Sequence, residues 1–541
     1  MISTLYILLP IVAAVCFTLV KWIHRPRDPI WAQVDRVGGA SRLSFLGSVL
    51  SSITSTRKLA TEGYRRFSKT LDRPYALPTT WMRSGAVMVL PPSRVPLMTR
   101  PDKTHDGEWT NLLGLIETTQ LPYLIDDPTI YQNLLHFDVV RRHMTSTRDV
   151  ARHAPTTADE LDRAFGDAWG TSSEWKTIDG WEACGGVISR ASQRVLVGLP
   201  LSRDPALLET SRAYANSVLV GGAIINCFPS QVRWLVAPLV AARARYYQSR
   251  YVNMLVPLVR ERIRMWEEKE KDDGHGPDDF LQWMIPICAQ AGPDQLDPTR
   301  IALRLVSLLT PLVFAICYVF AHCVLDILGG PDRRDIVAGL EEECTRVMSL
   351  QNGSGGGGRL SLLDTSEAVS RLSRVDSALR ESMRLSDVAV TNLARDVTAG
   401  EVDVGQGLRV KPGVRMVFPT QNIHRDPDNY EDPTRYDAFR FSRPFEKPQR
   451  EGSSPERPKP GPVVGEQQKL IVTTTPTFLP FGYGRHACPG RWFAAQLMKQ
   501  ALAYVVLHYD VQLVGGPQPR RALLNTMVPP VGSQIRIRRK G

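Results

Sequence analysis

Apolar residues recur at helical spacing through most of the chain between about residue 50 and residue 350. Three segments, Ala158–Gly170, Asp204–Val220 and Arg243–Lys271, carry apolar side chains at i, i+3 and i+4 and predict amphipathic helices. Strand-like segments are short, at Gly85–Pro92 and Gly407–Pro419. So few strands argue against a doubly wound sheet, and the pattern predicts a mainly α protein.

One apolar segment, Leu305–Ala321, carries no charge on any face. It predicts either a second membrane span or a helix buried in the core of a large domain. Arg304, His322 and Asp326 bracket it closely, and the uncharged run is slightly short for a span. Because amphipathic helices of the soluble type flank it, the pattern favours a buried central helix.

The N-terminal apolar segment, Ile2–Val20, is followed directly by basic residues, including Lys21 and Arg25. Its length matches the roughly 20 residues that span a bilayer core. A cleaved signal peptide carries its charge first, so this order predicts a retained anchor with the following chain on the cytosolic side. The predicted organisation is an anchor at 1–23, a linker at 24–50 and one domain at 51–541, with surface loops at 353–358 and 443–469.

Composition narrows the classes of partner. The chain has 541 residues, 43% of them hydrophobic, and a net charge of +11. Such an excess suits nucleic acid, an anionic membrane surface or an acidic protein. No basic run is interleaved with aromatic residues, so no nucleic-acid partner is predicted. The eight cysteines include no CxxC pair, which argues against a zinc site or a disulfide framework.

One cysteine, Cys488, lies in the glycine-rich and cationic segment Phe478–Ala494. Glycines there allow close approach of the backbone to a flat ligand, and nearby positive charge favours a thiolate. Pro489 is expected to begin the following helix, which would place the thiol just ahead of a helix N-terminus. Residue types alone leave two interpretations open, a buried structural cysteine and a metal thiolate.

The spacing around this cysteine is more specific than its composition. The pattern F-x-x-G-x-[R/H]-x-C-x-G is met in full between Phe481 and Gly490. This segment resembles the haem-thiolate signature of the cytochrome P-450 superfamily. The resemblance implies haem b as cofactor and Cys488 as the axial ligand of its iron. It also implies haem-loop roles for Phe481, Gly484, Arg485, His486 and Gly490, with His486 and Arg485 near a propionate.

A second set of residues is similar to the conserved core of that superfamily. Glu381 and Arg384 form an E-x-x-R pair about one hundred residues before Cys488, where the family has its K-helix. Arg440, in the segment "DPTRYDAFRFSR", matches the third partner. The resemblance implies a buried ion-pair triad of Glu381, Arg384 and Arg440 with a structural role.

Three further arginines are haem-propionate candidates by the same resemblance. Arg141 and Arg142 lie in a segment similar to the C-helix, and Arg395 follows the K-helix. A solvated surface charge stays open as the alternative for each of them.

The distal helix departs from the family pattern. Dioxygen-activating members carry an acid and an alcohol there, which deliver protons. Counted back from "ILGGP", this chain has Phe314, Ala315, Ile316 and Cys317 at the matching positions. The nearest hydroxyl is Thr310, followed by Pro311, which is expected to bend the helix. Thr310, Phe314 and Ala315 are the expected distal pocket residues.

The resemblance implies a mainly α, triangular cytochrome P-450 domain with small β-sheets, tethered by one N-terminal transmembrane helix in the endoplasmic reticulum membrane. The expected function is oxidation of a lipophilic secondary-metabolite intermediate, such as a terpenoid, polyketide or alkaloid. Electrons would come from NADPH through cytochrome P-450 reductase. The missing acid and alcohol leave two alternatives open, a non-oxygenating isomerase, dehydratase or cyclase, and a haem-binding pseudo-enzyme or sensor.

Overall fold

The computed structural model describes residues 29–38, 42–82, 84–101, 103, 107–110, 123, 127–228, 232–269, 276–352, 364–446 and 470–541. The predicted anchor at 1–23 and the loop at 353–358 lie outside the described residues, as does most of the predicted loop at 443–469.

Helices make up most of the described chain, as the apolar pattern predicts. Many begin at an Asp, Ser or Thr whose side chain accepts a backbone N–H of the first turn, for example Asp204, Asp279 and Asp297. The α-helices are α1 Arg42–Gly63, α2 Leu135–His143, α3 Thr147–Ala151, α4 Ala154–Trp169, α5 Gly180–Leu196, α6 Pro205–Cys227, α7 Arg233–Lys269, α8 Phe280–Ala291, α9 Pro298–Ser307, α10 Ile316–Gly329, α11 Arg333–Asn352, α12 Ser366–Ser370, α13 Ser373–Leu385, α14 Thr420–His424 and α15 Arg491–His508.

Shorter helical turns connect these helices. Two are π-helical, Tyr64–Lys69 and Thr310–Ala315. The 3-10 turns are Pro29–Ala32, Pro92–Thr99, Pro128–Tyr131, Leu201–Arg203, Pro293–Leu296, Arg443–Phe445 and Gly484–His486.

The strands are short and form four small sheets among the described residues. They are β1 Asp35–Arg36, β2 Tyr75–Pro78, β3 Ala86–Val89, β4 Gly107–Thr110, β5 Lys176–Asp179, β6 Asn392–Gly400, β7 Val402–Asp403, β8 Arg409–Val410, β9 Arg415–Phe418, β10 Tyr509–Val514, β11 Ala522–Leu523, β12 Thr526–Met527 and β13 Gln534–Arg539. The largest sheet has the order β1-β2-β3-β9-β6-β4, and a second has the order β10-β13-β5. β11 pairs with β12, and β7 pairs with β8. The mainly α class with small sheets is therefore confirmed.

The apolar helix that could be read as a membrane span lies in the core. The run Pro298–Gly329 is the one described helix long and apolar enough to cross a bilayer, and 67% of its apolar window is buried. Its C-terminal part, α10, packs against α5, α13 and α15. This supports the interpretation as a buried central helix.

The predicted linker at 24–50 needs correction. From Pro29 onward the chain is folded onto the domain, since β1 pairs with β2 and α1 begins at Arg42. Ile30, Trp31 and Phe45 are buried. Apolar side chains at these positions gain free energy by leaving water, so this part of the predicted linker belongs to the core.

Candidate functional site

The loop that carries Cys488 is held against the turn Pro92–Thr99. Gly482 and Gly484 adopt positive φ angles of 77° and 71°. A Cβ atom on Gly484 would lie 2.3 Å from the carbonyl oxygen of Met98. Both the backbone angle and the close approach therefore require glycine at position 484.

The surroundings of the Cys488 thiol act on its pKa in opposite directions, and burial is the largest effect, so the pKa is raised. Residue Cys488 is only partly buried. The backbone N–H of Cys488 donates to the Phe481 carbonyl at 2.7 Å. Burial raises the pKa of the thiol, while the backbone N–H groups of Gly490 and Arg491 and the charge of Arg491 lower that pKa. Backbone N–H groups without helical partners are the donors that stabilise an anion at this position.

The start of the following helix differs from the sequence-based expectation. The helix α15 begins at Arg491, not at Pro489, and Gly490 is its N-cap. Gly490 has no side chain that could cap the helix, so the first N–H groups are left to face the sulfur. The cysteine therefore lies ahead of a helix N-terminus, as predicted, but the helix begins two residues later in the chain than expected.

Arg491 is the loop residue that sequence reasoning missed. Its Nη1 donates to the Cys488 carbonyl at 2.7 Å, and its Nε donates to the Val472 carbonyl at 3.1 Å. The guanidinium stacks on the Trp492 ring at 3.5 Å. An arginine in the first turn of a helix is usually a surface residue. The position of Arg491 in the sequence therefore did not predict its contacts with the cysteine loop.

The three residues of the predicted triad lie in contact. Arg384 donates to both oxygens of Glu381, at 2.8 and 2.7 Å, and both side chains are fully buried. Arg440 donates to the same carboxylate at 3.0 Å. Arg384 also donates to the carbonyls of His424 and Pro433, both at 2.6 Å. One buried carboxylate thus joins α13 to the chain that leads to the cysteine loop.

His424 extends this network to the loop itself. Its Nε2 accepts the backbone N–H of Leu479 at 2.9 Å, at the start of the cysteine segment. The guanidinium of Arg380, one residue before Glu381, lies 3.6 Å from the centre of the Phe478 ring. The end of α13 therefore fixes where the cysteine loop begins.

The candidate propionate contacts differ in their surroundings. Arg141 forms an exposed ion pair with Asp138 at 3.0 Å, and Arg142 is also exposed on α2. Arg395 is 2% exposed and donates to the Ala394 carbonyl. His486 is partly buried in the turn Gly484–His486, whereas Arg485 is exposed.

The distal helix widens where Pro311 interrupts it. Because Pro311 has no N–H, the α-helical bond to residue 307 is missing, and Thr310–Ala315 forms a π-helical turn. The hydroxyl of Ser192 on α5 donates to the Leu312 carbonyl at 3.2 Å. A side chain from a neighbouring helix thus satisfies a carbonyl of the widened turn.

Phe314 packs against α5, and its expected place in the distal pocket stays a prediction. Its ring is 9% exposed and meets the Trp181 ring edge-on at 5.5 Å. Its expected companions Thr310 and Ala315 are partly exposed, and Pro311 is exposed. The helical spacing of positions 311 and 315 puts these two residues on one open face, while the aromatic side chain is drawn into the core.

Haem fits the residues of the cysteine loop. The described residues contain no group of three His, Cys, Asp or Glu side chains that could hold a metal ion. The iron of a haem needs only one protein thiolate, and Cys488 offers it among N–H donors. A Cβ atom added to Gly490 would meet no atom within 4 Å, so the chain leaves space there. A mainly α fold with a single thiol presented in this way defines the class of haem-thiolate proteins.

Comparison with known proteins identifies the family. A family model described as Cytochrome P450 matches residues 332–536. The cytochrome P450 monooxygenase gloP of Glarea lozoyensis is 32% identical over 506 residues, which cover 90% of this chain and 87% of the relative. The cytochrome P450 monooxygenase htyF of Aspergillus rugulosus is 34% identical over 521 residues, 93% of this chain and 72% of the relative. The chain belongs to the cytochrome P450 family, and its cofactor is haem.

Proposed function

We propose that this protein is a haem-thiolate monooxygenase that oxidises a lipophilic small molecule of fungal secondary metabolism by hydroxylation, desaturation or oxidative ring formation. The observation that carries the proposal is the Cys488 loop, with its partly buried thiol facing two backbone N–H groups. The fungal relatives gloP and htyF are named monooxygenases, which supports the same reaction class here.

In this proposal the Cys488 thiolate would hold the haem iron, and the haem would supply the activation of dioxygen. Phe481, through its carbonyl, and Arg491, through Nη1, hold the backbone on either side of the thiol. The buried Arg395 and the partly buried His486 are the better candidates for the propionates, because Arg141 is engaged with Asp138 at the surface.

The side chains expected on the distal side support the proposed substrate class. Pro311 and Ala315 offer no charge and no hydrogen-bond donor, and Thr310 offers one hydroxyl. A pocket lined in this way favours an apolar ligand held by few polar contacts, such as a terpenoid, polyketide or alkaloid intermediate.

Replacing the axial cysteine tests the proposal. Cys488→Ala is expected to abolish the thiolate signature of the reduced, CO-bound haem and all oxidation. Cys227→Ala is the matched control, because Cys227 is the other partly exposed cysteine of the described chain. A thiolate spectrum that survives in Cys488→Ala contradicts the assignment.

A second candidate function, isomerisation, dehydration or cyclisation without dioxygen, is favoured by one observation. The turn Thr310–Ala315 contains no carboxyl group and a single hydroxyl. Turnover separates the candidates: product formation that requires both NADPH and dioxygen supports the monooxygenase, and a hydroxylated product should also carry oxygen from dioxygen. Product formed without NADPH and dioxygen supports the second candidate, and a haem spectrum without any turnover supports a haem binder or sensor.

We further propose a single-pass anchor at 1–23 that holds the catalytic domain on the cytosolic face of the endoplasmic reticulum. There NADPH–cytochrome P-450 reductase would be the electron donor. The uncharged segment followed by Lys21 and Arg25 supports this orientation. The exposed Arg142 and Arg485 supply positive charge for an acidic reductase surface and increase the rate of encounter.

A further inference from the structure

A cleft of about 860 Å³ lies between α1 and the start of β11. None of its lining residues belongs to the cysteine loop Phe478–Ala494, and no step of the proposed oxidation uses it. The lining side chains are mostly cationic or hydroxylic; they are Thr54, Ser55, Arg57, Lys58, Thr61, Glu62, Arg65, Arg66, Arg520, Arg521 and Ala522.

The cleft holds more positive charge than its own carboxylates can balance. Six of its side chains are arginine or lysine, and Glu62 is its one acidic side chain. Glu62 pairs with Arg66 at 2.7 Å, and Arg520 pairs with Asp326 from α10. Four cations remain that form no ion pair with a described residue: Arg57, Lys58, Arg65 and Arg521.

Two of the cationic residues, Arg57 and Arg520, lie close together. Nη1 of Arg57 donates to the backbone carbonyl of Arg520 at 3.1 Å. Burial lowers the pKa of the Arg57 guanidinium, and the nearby charge of Arg520 lowers it further. Asp326 balances the charge of Arg520, but Arg57 forms no ion pair with a described residue, so a bound anion would reduce the remaining repulsion.

We propose that this cleft binds a phosphate monoester, either the head group of an anionic lipid or a free phosphate compound. Arginine forks from two separate elements match the several oxygens of a phosphate group, which a single carboxylate would engage less fully. Arg57 lies on α1, Arg65 lies in the π-helical turn Tyr64–Lys69 that follows α1, and Arg521 lies directly before β11. Thr54 and Ser55 add hydroxyl donors at the rim.

Binding there would join two parts of the fold that are already in contact. The backbone N–H of Leu524, in the β11–β12 hairpin, donates to the Ile53 carbonyl of α1 at 2.7 Å. On the other side of this hairpin, the Asn525 side chain accepts the Thr391 backbone N–H at 2.8 Å. A phosphate bridging α1 and β11 would therefore stabilise the hairpin against the segment that follows α13. The inference is independent of which reaction the haem site performs.

The test uses the full-length, haem-loaded protein in neutral detergent. Dioctanoyl phosphatidic acid, inorganic phosphate and dioctanoyl phosphatidylcholine are titrated separately, and binding is followed by calorimetry and by the midpoint of thermal unfolding. The double variant Arg65→Glu/Arg521→Glu is expected to bind phosphate at least about tenfold more weakly. Arg243→Glu/Arg260→Glu, an equal charge change at two exposed arginines on α7, is the control. The reduced CO spectrum shows that each variant remains folded with its haem.

Three outcomes distinguish a lipid head group, a free phosphate compound and a cleft that binds neither. Binding of phosphatidic acid but not inorganic phosphate, lost in the double variant alone, supports a lipid head group. Binding of both, lost in the same way, supports a site for free phosphate compounds. Absence of binding, equal binding by the double variant, or equal binding of phosphatidylcholine overturns the proposal.

Discussion

The cysteine loop depends on Gly484 at the level of a single residue. Alanine at this position would combine a positive φ angle of 71° with a Cβ atom 2.3 Å from the Met98 carbonyl oxygen. We expect Gly484→Ala to lower the haem content of the purified protein and to reduce the free energy of unfolding by several kcal/mol, since both the angle and the clash must be relieved.

Gly515→Ala separates these two causes. Gly515 has a φ angle of 79°, but a Cβ atom there would meet nothing within 4 Å. This control should lower the free energy of unfolding by only about 1–2 kcal/mol, because the backbone angle alone is strained, and it should leave the haem content unchanged. Equal losses in the two variants, measured by thermal unfolding and haem absorbance, would show that contact with Met98 is unimportant.

Asp387, directly after α13, should make stability depend on pH. Its carboxylate is buried, and the nearest basic atom of an ion pair is Nδ1 of His424 at 3.8 Å. Burial raises its pKa to about 6, although the Thr420 hydroxyl and backbone N–H groups oppose this shift. The folded state therefore holds a proton at pH values where the unfolded state has lost it. The contribution to stability is present below the unfolded pKa and is lost as pH rises through about 6.

Asp387→Asn is thus expected to be more stable than the parent at neutral pH, by about 2–3 kcal/mol, and to lose this advantage as pH falls towards 4. Denaturant unfolding across this pH range measures the difference. Asp335→Asn, at an exposed position on α11, should show no such dependence. A constant difference between Asp387→Asn and the parent at all pH values would contradict the account.

At the scale of elements, the Glu381 carboxylate joins α13 to the segment before the cysteine loop. Glu381→Ala leaves Arg384 buried without its counter-charge and should lower the free energy of unfolding by about 3–5 kcal/mol. Asp138→Ala removes an exposed ion pair with Arg141 and should cost less than about 1 kcal/mol. Denaturant unfolding of the haem-loaded protein compares them, and similar losses would argue against a structural role for the triad.

The distal helix offers a comparison between adjacent positions. Ala315 is partly exposed, whereas Ile316 is buried at 5% exposure. If proton delivery limits the monooxygenase, Ala315→Thr should raise the fraction of NADPH consumed that appears as product. Ile316→Thr should not, because its hydroxyl would be buried in the core at a cost in stability. Equal coupling in Ala315→Thr and the parent would count against a proton-delivery defect.

Sequence patterns predicted the elements better than the positions of side chains within them. Helical periodicity located α4, α6 and α7, but each is longer than the predicted segment at one or both ends. Apolar positions decide whether a helix forms, while its ends depend on caps such as Asp204. The direction of the Phe314 ring could not be predicted from sequence, because a buried helix is apolar on every face and the contact with Trp181 arises only in the fold.

At the scale of the whole molecule, the proposed membrane attachment would involve two regions, the segment 1–23 and the start of α7. Deletion of 1–23 should weaken membrane association without abolishing it. The start of α7 exposes Trp234 by 70% and Leu239 by 77%, and such side chains favour a lipid interface. Carbonate extraction and flotation measure the retained fraction.

The control for this deletion adds Trp234→Ser and Leu239→Ser to the shortened chain. Loss of the remaining membrane binding is expected, with an unchanged reduced CO spectrum. Complete solubility of the shortened chain before these substitutions would show that the α7 face contributes nothing.

The overall architecture could be predicted from the sequence, because the spacing of the cysteine-loop and triad motifs does not depend on the conformation of the loops between them. Glu381, Arg384 and Arg440 were placed together from their motifs, and they lie in contact. The cationic cleft beside α1 was not predicted, because Arg57 and Arg521 are more than 460 residues apart and meet only through the β11–β12 hairpin. Contacts of that kind carry no local sequence pattern.

A π-helical turn holds one residue more than an α-helical turn, so Thr310–Ala315 acts as a one-residue insertion in the distal helix. Positions counted from α9 and positions counted from α10 therefore differ by one. From one end the acid and alcohol positions fall on Phe314 and Ala315, and from the other they fall on Val313 and Phe314. Neither register contains a carboxyl or a hydroxyl group. Insertion or deletion of a residue in this turn could not restore the pair, and only substitution of side chains could.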